Sequence, residues 1–125
     1  MSPIRVLVVD DNDLQRDVVS DVLSSVGYDV EQAASGAAAL DSARARRPDV
    51  VVLDLMLPDT DGATVLAEIR ADPALAGVRV VVTTGVRASS LRRLPGVDLV
   101  LFKPFGMGEL LSAIESLAAP TAMQG

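Results

Sequence analysis

The chain has 125 residues, half of them apolar but only 2% aromatic, and its 17 acidic and 11 basic residues leave a formal charge of −6. That length suits one ordinary domain, with a core that must come from Val, Leu, Ile and Ala. The negative balance argues against nonspecific nucleic-acid binding as the main activity. With no cysteine there is no disulfide or thiolate metal site, and with no histidine any acid–base or metal work falls to carboxylates. No stretch approaches the ~18 uninterrupted apolar residues of a membrane span, and Asp10 to Asp13 fit no signal peptide. The reading therefore expects a cytoplasmic protein with no membrane partner.

Strand-like and helix-like stretches alternate along the chain. Ile4 to Val9 is a strand candidate that runs into Asp10-Asp11. Leu14, Val18, Val22 and Val26 then recur every four residues, predicting a helix that stops at Gly27. Val30 to Ala33 is a second strand, and the Ala-rich segment from Ser35 to Arg46 is a second helix ending at Arg47-Pro48. Val50 to Leu53 is a third strand, closed by Asp54 and followed by a loop through Asp59, Asp61 and Gly62. Ala63 to Ala71 places Val65, Leu66 and Ile69 on one helical stripe, and Val78 to Val82 is a fourth strand leading to Thr83-Thr84-Gly85. Arg87 to Leu94 is a short, basic candidate for the fourth helix. Leu99 to Phe102 is the fifth strand, running into Lys103-Pro104. Leu110, Leu111, Ile114, Leu117 and Ala118 mark the fifth helix. We expect one domain over residues 1–119, with 120–125 a disordered tail or linker stub.

Strands continuously apolar and rich in Val are those covered on both faces, as in a parallel sheet. Five strand–helix units in this length predict an α/β doubly wound sheet, and of the two common orders 2-1-3-4-5 fits five strands. Its switch point lies between the first and third strands, so Asp10-Asp11 fall beside Asp54 at the carboxyl edge, where such sheets bind ligands. Thr84 and Lys103 end neighbouring strands at the same edge. The position after the first strand holds Asp-Asp-Asn-Asp instead of a glycine-rich loop, which excludes a dinucleotide cradle.

Three crowded carboxylates repel one another unless a cation intervenes. Asp10, Asp11 and Asp54 with backbone carbonyls suit a hard divalent ion such as Mg²⁺. The competing reading makes Asp10 and Asp11 caps of the first helix, with Asn12 and Asp13. A strand-end Asp can accept a phosphoryl group as an acyl phosphate, whose transfer needs positioning and charge neutralisation above all. Lys103, the chain's single lysine, and the hydroxyl of Thr84 could contact the phosphoryl oxygens. Thr83 competes with Thr84, but the following Gly85 leaves room beside Thr84.

The ordered set Val8-Val9-Asp10-Asp11, Leu53-Asp54-Leu55-Met56-Leu57-Pro58 with Asp61-Gly62, Thr84-Gly85 and Lys103-Pro104-Phe105 resembles the receiver domain of two-component response regulators, over roughly Ile4 to Leu117. The resemblance implies a flavodoxin-like (βα)5 fold and a phospho-accepting switch. Asp54 would take a phosphoryl group from a sensor histidine kinase or phosphotransfer protein. Mg²⁺, or Mn²⁺ in its place, would be held by Asp10, Asp11, Asp54 and the Met56 carbonyl. Thr84 and Lys103 would bind the phosphoryl group, the Lys103–Pro104 bond would be cis, and the domain would assist only its own phosphorylation and dephosphorylation. A downstream protein would dock on the face from the fourth to the fifth helix of a monomer or weak dimer, with no direct nucleic-acid partner.

Two departures from that pattern fall on the output face. Receivers usually carry Tyr or Phe three residues before the lysine, where this chain has Val100, and the stretch from Thr84 to Lys103 is shorter than usual. By strand alternation Phe102 faces the same way as Val100. Arg87, Arg92 and Arg93 read either as a docking patch for an acidic partner or as a solvated basic face, and Arg44, Arg46 and Arg47 as helix C-terminal cations. Asp59 and Asp61 read as turn residues. Met56 and Val86 flank the path of attacking water, and both are apolar, which predicts slow autodephosphorylation. The rivals are a pseudo-receiver, acting as a phosphorylation-independent protein-binding module, and a small Asp-nucleophile phosphatase. The second wants an acidic group two residues after the nucleophile, where Met56 stands.

Overall fold

Alternation along each strand sends successive side chains to opposite faces, and that builds two cores here. In the computed structural model, residues 3–86, 88, 91 and 93–118 are described. The chain order is β1 (Arg5–Val9), α1 (Asp13–Ser25), β2 (Asp29–Ala33), α2 (Gly36–Ala45), β3 (Val50–Asp54), α3 (Gly62–Ala71), a 3₁₀ turn (Pro73–Leu75), β4 (Arg79–Thr84), β5 (Leu99–Phe102) and α4 (Met107–Ala118). The five strands form one parallel sheet in the order β2-β1-β3-β4-β5, as the pattern predicts.

Leu7, Val9, Val51, Leu53, Val80 and Val82 face α2 and α3, where they meet Leu40, Val65, Leu66 and Ile69. Val6, Val8, Val50, Val52 and Val81 face the other way, toward Val19 and Leu23 of α1 and Leu110 and Ile114 of α4. Burying each such side chain contributes about 1.5–3 kcal/mol, so these aliphatic layers anchor the strand ends that carry the polar groups.

α4 is the helix expected fifth in the sequence. Of the basic segment expected to form the fourth, Arg87, Ser89, Ser90 and Arg92 lie outside the described residues, as does the tail 120–125. The expected docking patch is therefore described only at Arg93, which is exposed. The stop at Gly27 is present: φ there is +100°, and the amides of Gly27 and Tyr28 donate to the Ser24 and Leu23 carbonyls.

The four-residue stripe that marks α1 in the sequence is not the face it buries. Leu14, Val18 and Val26 are exposed, whereas Val19, Ser20 and Leu23 point inward. A helix laid across a flat sheet needs only a narrow seam, and α1 satisfies it with three buried positions. β4 also runs past its apolar stretch to include Thr83 and Thr84, because both threonines still pair with β3 or β5.

Candidate functional site at the carboxyl edge of the sheet

The register of β1 on β3 pairs Val9 with Leu53, so Asp10 and Asp54 leave the sheet side by side on the face that buries Val8 and Val52. Both aspartates are buried, at 6% exposure each. Asp11 is exposed, yet carboxylate oxygens of Asp10, Asp11 and Asp54 lie within 4.8 Å of one another. Three of the predicted residues thus converge.

Each carboxylate is held. Asp10 Oδ1 accepts from the Asn12 amide at 2.9 Å, turning the chain into α1. Asn12, not Asp10 or Asp11, is the N-cap of that helix, its side chain accepting from the Gln15 amide, so the capping reading of the two aspartates fails. Asp54 Oδ1 accepts from the Met56 amide at 3.1 Å, and its Oδ2 accepts from Lys103 Nζ at 3.0 Å. Lys103 Nζ also lies 3.9 Å from Asp10 Oδ2, and its side chain is 30% exposed. The Lys103–Pro104 peptide is cis.

Burial pushes the Asp10 carboxyl above its ordinary value, against the Asn12 amide and Lys103, which pull it down; Asp54 and Asp11 add to the rise. One ammonium facing three carboxylates leaves surplus negative charge in a partly dry pocket. An all-oxygen donor set with that surplus fits a hard divalent cation.

Thr84 is 1% exposed and ends β4, and its Oγ1 accepts from the Val86 amide at 3.1 Å. Thr83, its competitor, is the residue whose Cα pairs with Asp54 across the sheet, and its carbonyl accepts from the Leu55 amide. A Cβ at Gly85 would meet nothing within 4 Å, so there is open space beside Thr84. The Lys103 amide donates to the Thr84 carbonyl at 2.7 Å, which ties the lysine to the same strand end. Val100 and Phe102 pair with Val82 and Thr84, so both sit on the face that Thr84 shares. Met56 and Val86 are exposed, at 68% and 52%.

Sequence reasoning missed four supports. Arg16 donates from Nη1 to the Asp10 carbonyl at 2.8 Å, from Nε to Gln32 Oε1 and from Nη2 to Asp13 Oδ1. It is the single basic residue within α1, a signal that was legible. Gly62 lets α3 start directly on the β3 exit: a Cβ there would stand 2.6 Å from the Asp54 carbonyl oxygen and 2.8 Å from Leu55 Cα. Asp61 is the N-cap of α3, accepting from the Thr64 amide and hydroxyl. Asp59 is not a plain turn residue, since it accepts from two amides at the start of α2. The cations at the end of α2 are structural: Arg44 pairs with Asp72, Arg46 with Asp29 and Glu31, and Arg47 donates to the Ala76 carbonyl.

The family model described as the response regulator receiver domain matches residues 6–115. The chain belongs to that family. The probable transcriptional regulatory protein TcrX of Mycobacterium tuberculosis is 35% identical over 122 residues, covering 97% of this chain and 52% of that protein. The chain thus spans about half the length of the curated relatives it matches. Among solved structures, the chemotaxis protein CheY4 of Vibrio cholerae superposes with a TM-score of 0.88 at 28% identity, covering 93% of this chain and 99% of that one. The receiver domain of a Pseudomonas aeruginosa sensor histidine kinase, which has a magnesium ion coordinated in its active-site cleft, gives 0.85 at 30% identity, covering 94% and 98%. Receiver domains are phospho-accepting signalling switches that work with histidine kinases or phosphotransfer proteins. Among the described residues no helix is long and apolar enough to cross a membrane.

Proposed function

We propose that this receiver domain is phosphorylated on Asp54, and that Asp10, Asp11, Asp54 and the Met56 carbonyl hold Mg²⁺ for that step. One observation carries the reading: the buried carboxylate of Asp54 lies within 4.8 Å of two further carboxylates and 3.0 Å from the ammonium of the chain's single lysine. When bound, the cation neutralises phosphoryl oxygens and the surplus charge of the pocket. An Asp54 oxygen attacks phosphorus as the bond to the donor breaks, and the donor nitrogen or oxygen leaves with the electron pair. Asp54 Oδ2 gives up its bond to Lys103, whose Nζ is then placed to follow the new phosphoryl oxygens. The Thr84 hydroxyl, whose oxygen accepts from the Val86 amide, keeps its own proton to donate to the same group, which couples phosphorylation to the loop after β4. With Val100 at the usual aromatic place, that signal passes without the customary inward ring, which makes the output face atypical.

The test is intact mass after incubation with Mg²⁺ and acetyl phosphate. A single labile phosphate on the wild type, absent from Asp54→Ala, is the expected result. A wild type that takes no phosphate and binds no Mg²⁺ turns the reading toward a phosphorylation-independent binding module. The exposed apolar side chains of Met56 and Val86 offer no group to orient water, so the adduct should persist for many minutes; decay within seconds would contradict this.

A further inference from the structure

The loop from Leu55 to Asp61 is closed at its neck. Met56 and Asp61 pair as an antiparallel bridge, and the Gly62 amide donates to the Leu55 carbonyl at 2.7 Å. Its tip is fastened elsewhere. Asp59 Oδ1 accepts from the Gly36 amide at 2.9 Å and Oδ2 from the Ala37 amide at 3.0 Å, across more than twenty residues of chain. α2 has its own cap in Ser35, whose Oγ accepts from the Ala38 amide at 3.2 Å, so the helix start is tied without Asp59. Gly36 makes the approach feasible, because a Cβ there would collide with Thr60 Cγ2 and press on Val65 Cγ2 at 3.0 Å. A glycine on α2 and a carboxylate at the loop tip therefore form one joint. None of the hydrogen bonds in that joint involves Asp54.

We propose that Asp59 is a positioning residue for the cation site: by fastening the loop tip to α2 it fixes the backbone of Met56, which donates to Asp54 Oδ1 and supplies the carbonyl ligand. The proposal rests on the reading of the acidic pocket as a cation and phosphoryl site. Without the tip joint the lobe keeps its neck and the packing of Leu55 and Leu57 against the core, but the Met56 carbonyl loses its fixed aim. Mg²⁺ demands near-ideal octahedral geometry, whereas Ca²⁺ tolerates longer and irregular ligand sets, so a loosened loop weakens Mg²⁺ more than Ca²⁺. Residues supporting metal ligands typically change affinity by about 10–100-fold when removed, and a backbone ligand fixed at one remove belongs at the low end.

The experiment titrates the full chain with Mg²⁺ and with Ca²⁺ by calorimetry, alongside thermal melting, for the wild type, Asp59→Ala and Asp59→Asn. Expected is an about tenfold weaker Mg²⁺ affinity in Asp59→Ala, a smaller loss for Ca²⁺, and partial recovery in Asp59→Asn. The amide oxygen of Asn can accept one of the two helix amides, while its NH₂ cannot accept the other. If Asp59→Ala melts lower but keeps both affinities and their ratio, Asp59 only fastens the fold and the proposal falls. Should that variant not fold, the same comparison is read from Asp59→Asn. A wild type that binds no Mg²⁺ removes the reading of the pocket itself, an outcome separate from an unchanged Asp59→Ala.

Discussion

The two edges of the sheet treat carboxylates in opposite ways. At the amino edge Asp98 takes Arg70 at 2.9 Å, Arg79 at 3.4 Å and the Val80 amide at 2.7 Å, and Asp49 accepts from the Arg5 amide at 2.8 Å. At the carboxyl edge three carboxylates crowd within 4.8 Å, with Lys103 as the ammonium that reaches two of them. Arg70 shows the first logic most fully, since it also donates to the Gly96 carbonyl at 2.9 Å and the Val78 carbonyl at 2.5 Å, joining α3 to β4 and to the lead-in of β5. Charge is balanced where the fold is fastened and left in surplus where a ligand must enter. The native state carries that cost because the aliphatic layers on both faces of the sheet outweigh it.

Three substitutions break this contrast, and the largest effect belongs to Asp54. Asp54→Asn should take up no phosphate at all from acetyl phosphate, an all-or-none change in intact mass, while folding normally. Next comes Asp98→Ala, which takes the shared acceptor from the Val80 amide and from Arg79 and removes one of the three bonds of Arg70. We expect it to lower the unfolding free energy by about 2 kcal/mol in urea titrations and to leave Mg²⁺ affinity unchanged. A loss of Mg²⁺ binding in the folded variant would show that the two edges are not independent.

Asp10→Asn should do the reverse: raise stability by about 1 kcal/mol and abolish Mg²⁺ binding. The sign follows from the Asp10 carboxyl, which burial holds above its ordinary value. Ionisation then costs folding energy, so the wild type is penalised above the folded pKa and relieved as pH falls below the ordinary value of 3.8. The advantage of the variant is therefore present at neutral pH and vanishes in strong acid. Asp59, Asp61 and Asp72 have the opposite sign. Backbone amides hold all three carboxyls below the ordinary value, so their stabilising bonds persist above it and are lost as pH falls through the lowered values. Urea titrations of wild type and variant across pH 2.5–7, roughly the range where carboxylates titrate, check both signs.

The elements and their order were legible because the cues are local: Val-rich strands, glycine after α1, Pro48 after α2. The pocket was legible for the same reason, since a parallel sheet puts the residue after each apolar run at one edge. Which face of α1 is buried was not, because Leu14, Val18 and Val26 spell a stripe as regular as the buried one. Asp59 was not, because its partners Gly36 and Ala37 are adjacent only after α2 and the β3–α3 loop have both folded. Thr83 and Thr84 could not be separated by composition. The register settles only that Thr83 pairs with Asp54 and Thr84 with Phe102.

Arg16 gives the smallest of the expected effects and separates charge from geometry at the acidic pocket. Its side chain is largely covered, at 14% exposure, and its guanidinium braces the Asp10 carbonyl from behind while the Asp10 side chain faces the site. Arg16→Met keeps the stem but loses the fork, and should weaken Mg²⁺ binding about threefold, the equivalent of one ordinary hydrogen bond. Arg16→Lys keeps the charge without a fork that can reach Asp10, Asp13 and Gln32 together. If the residue acts by geometry, the lysine variant binds Mg²⁺ as poorly as the methionine one. If it acts by positive charge, Arg16→Met should instead bind Mg²⁺ more tightly, because a nearby cation opposes a second one, and the lysine variant should match the wild type. Calorimetric titration of the three proteins at low and at physiological salt distinguishes them, since screening shrinks the second pattern and leaves the first in place.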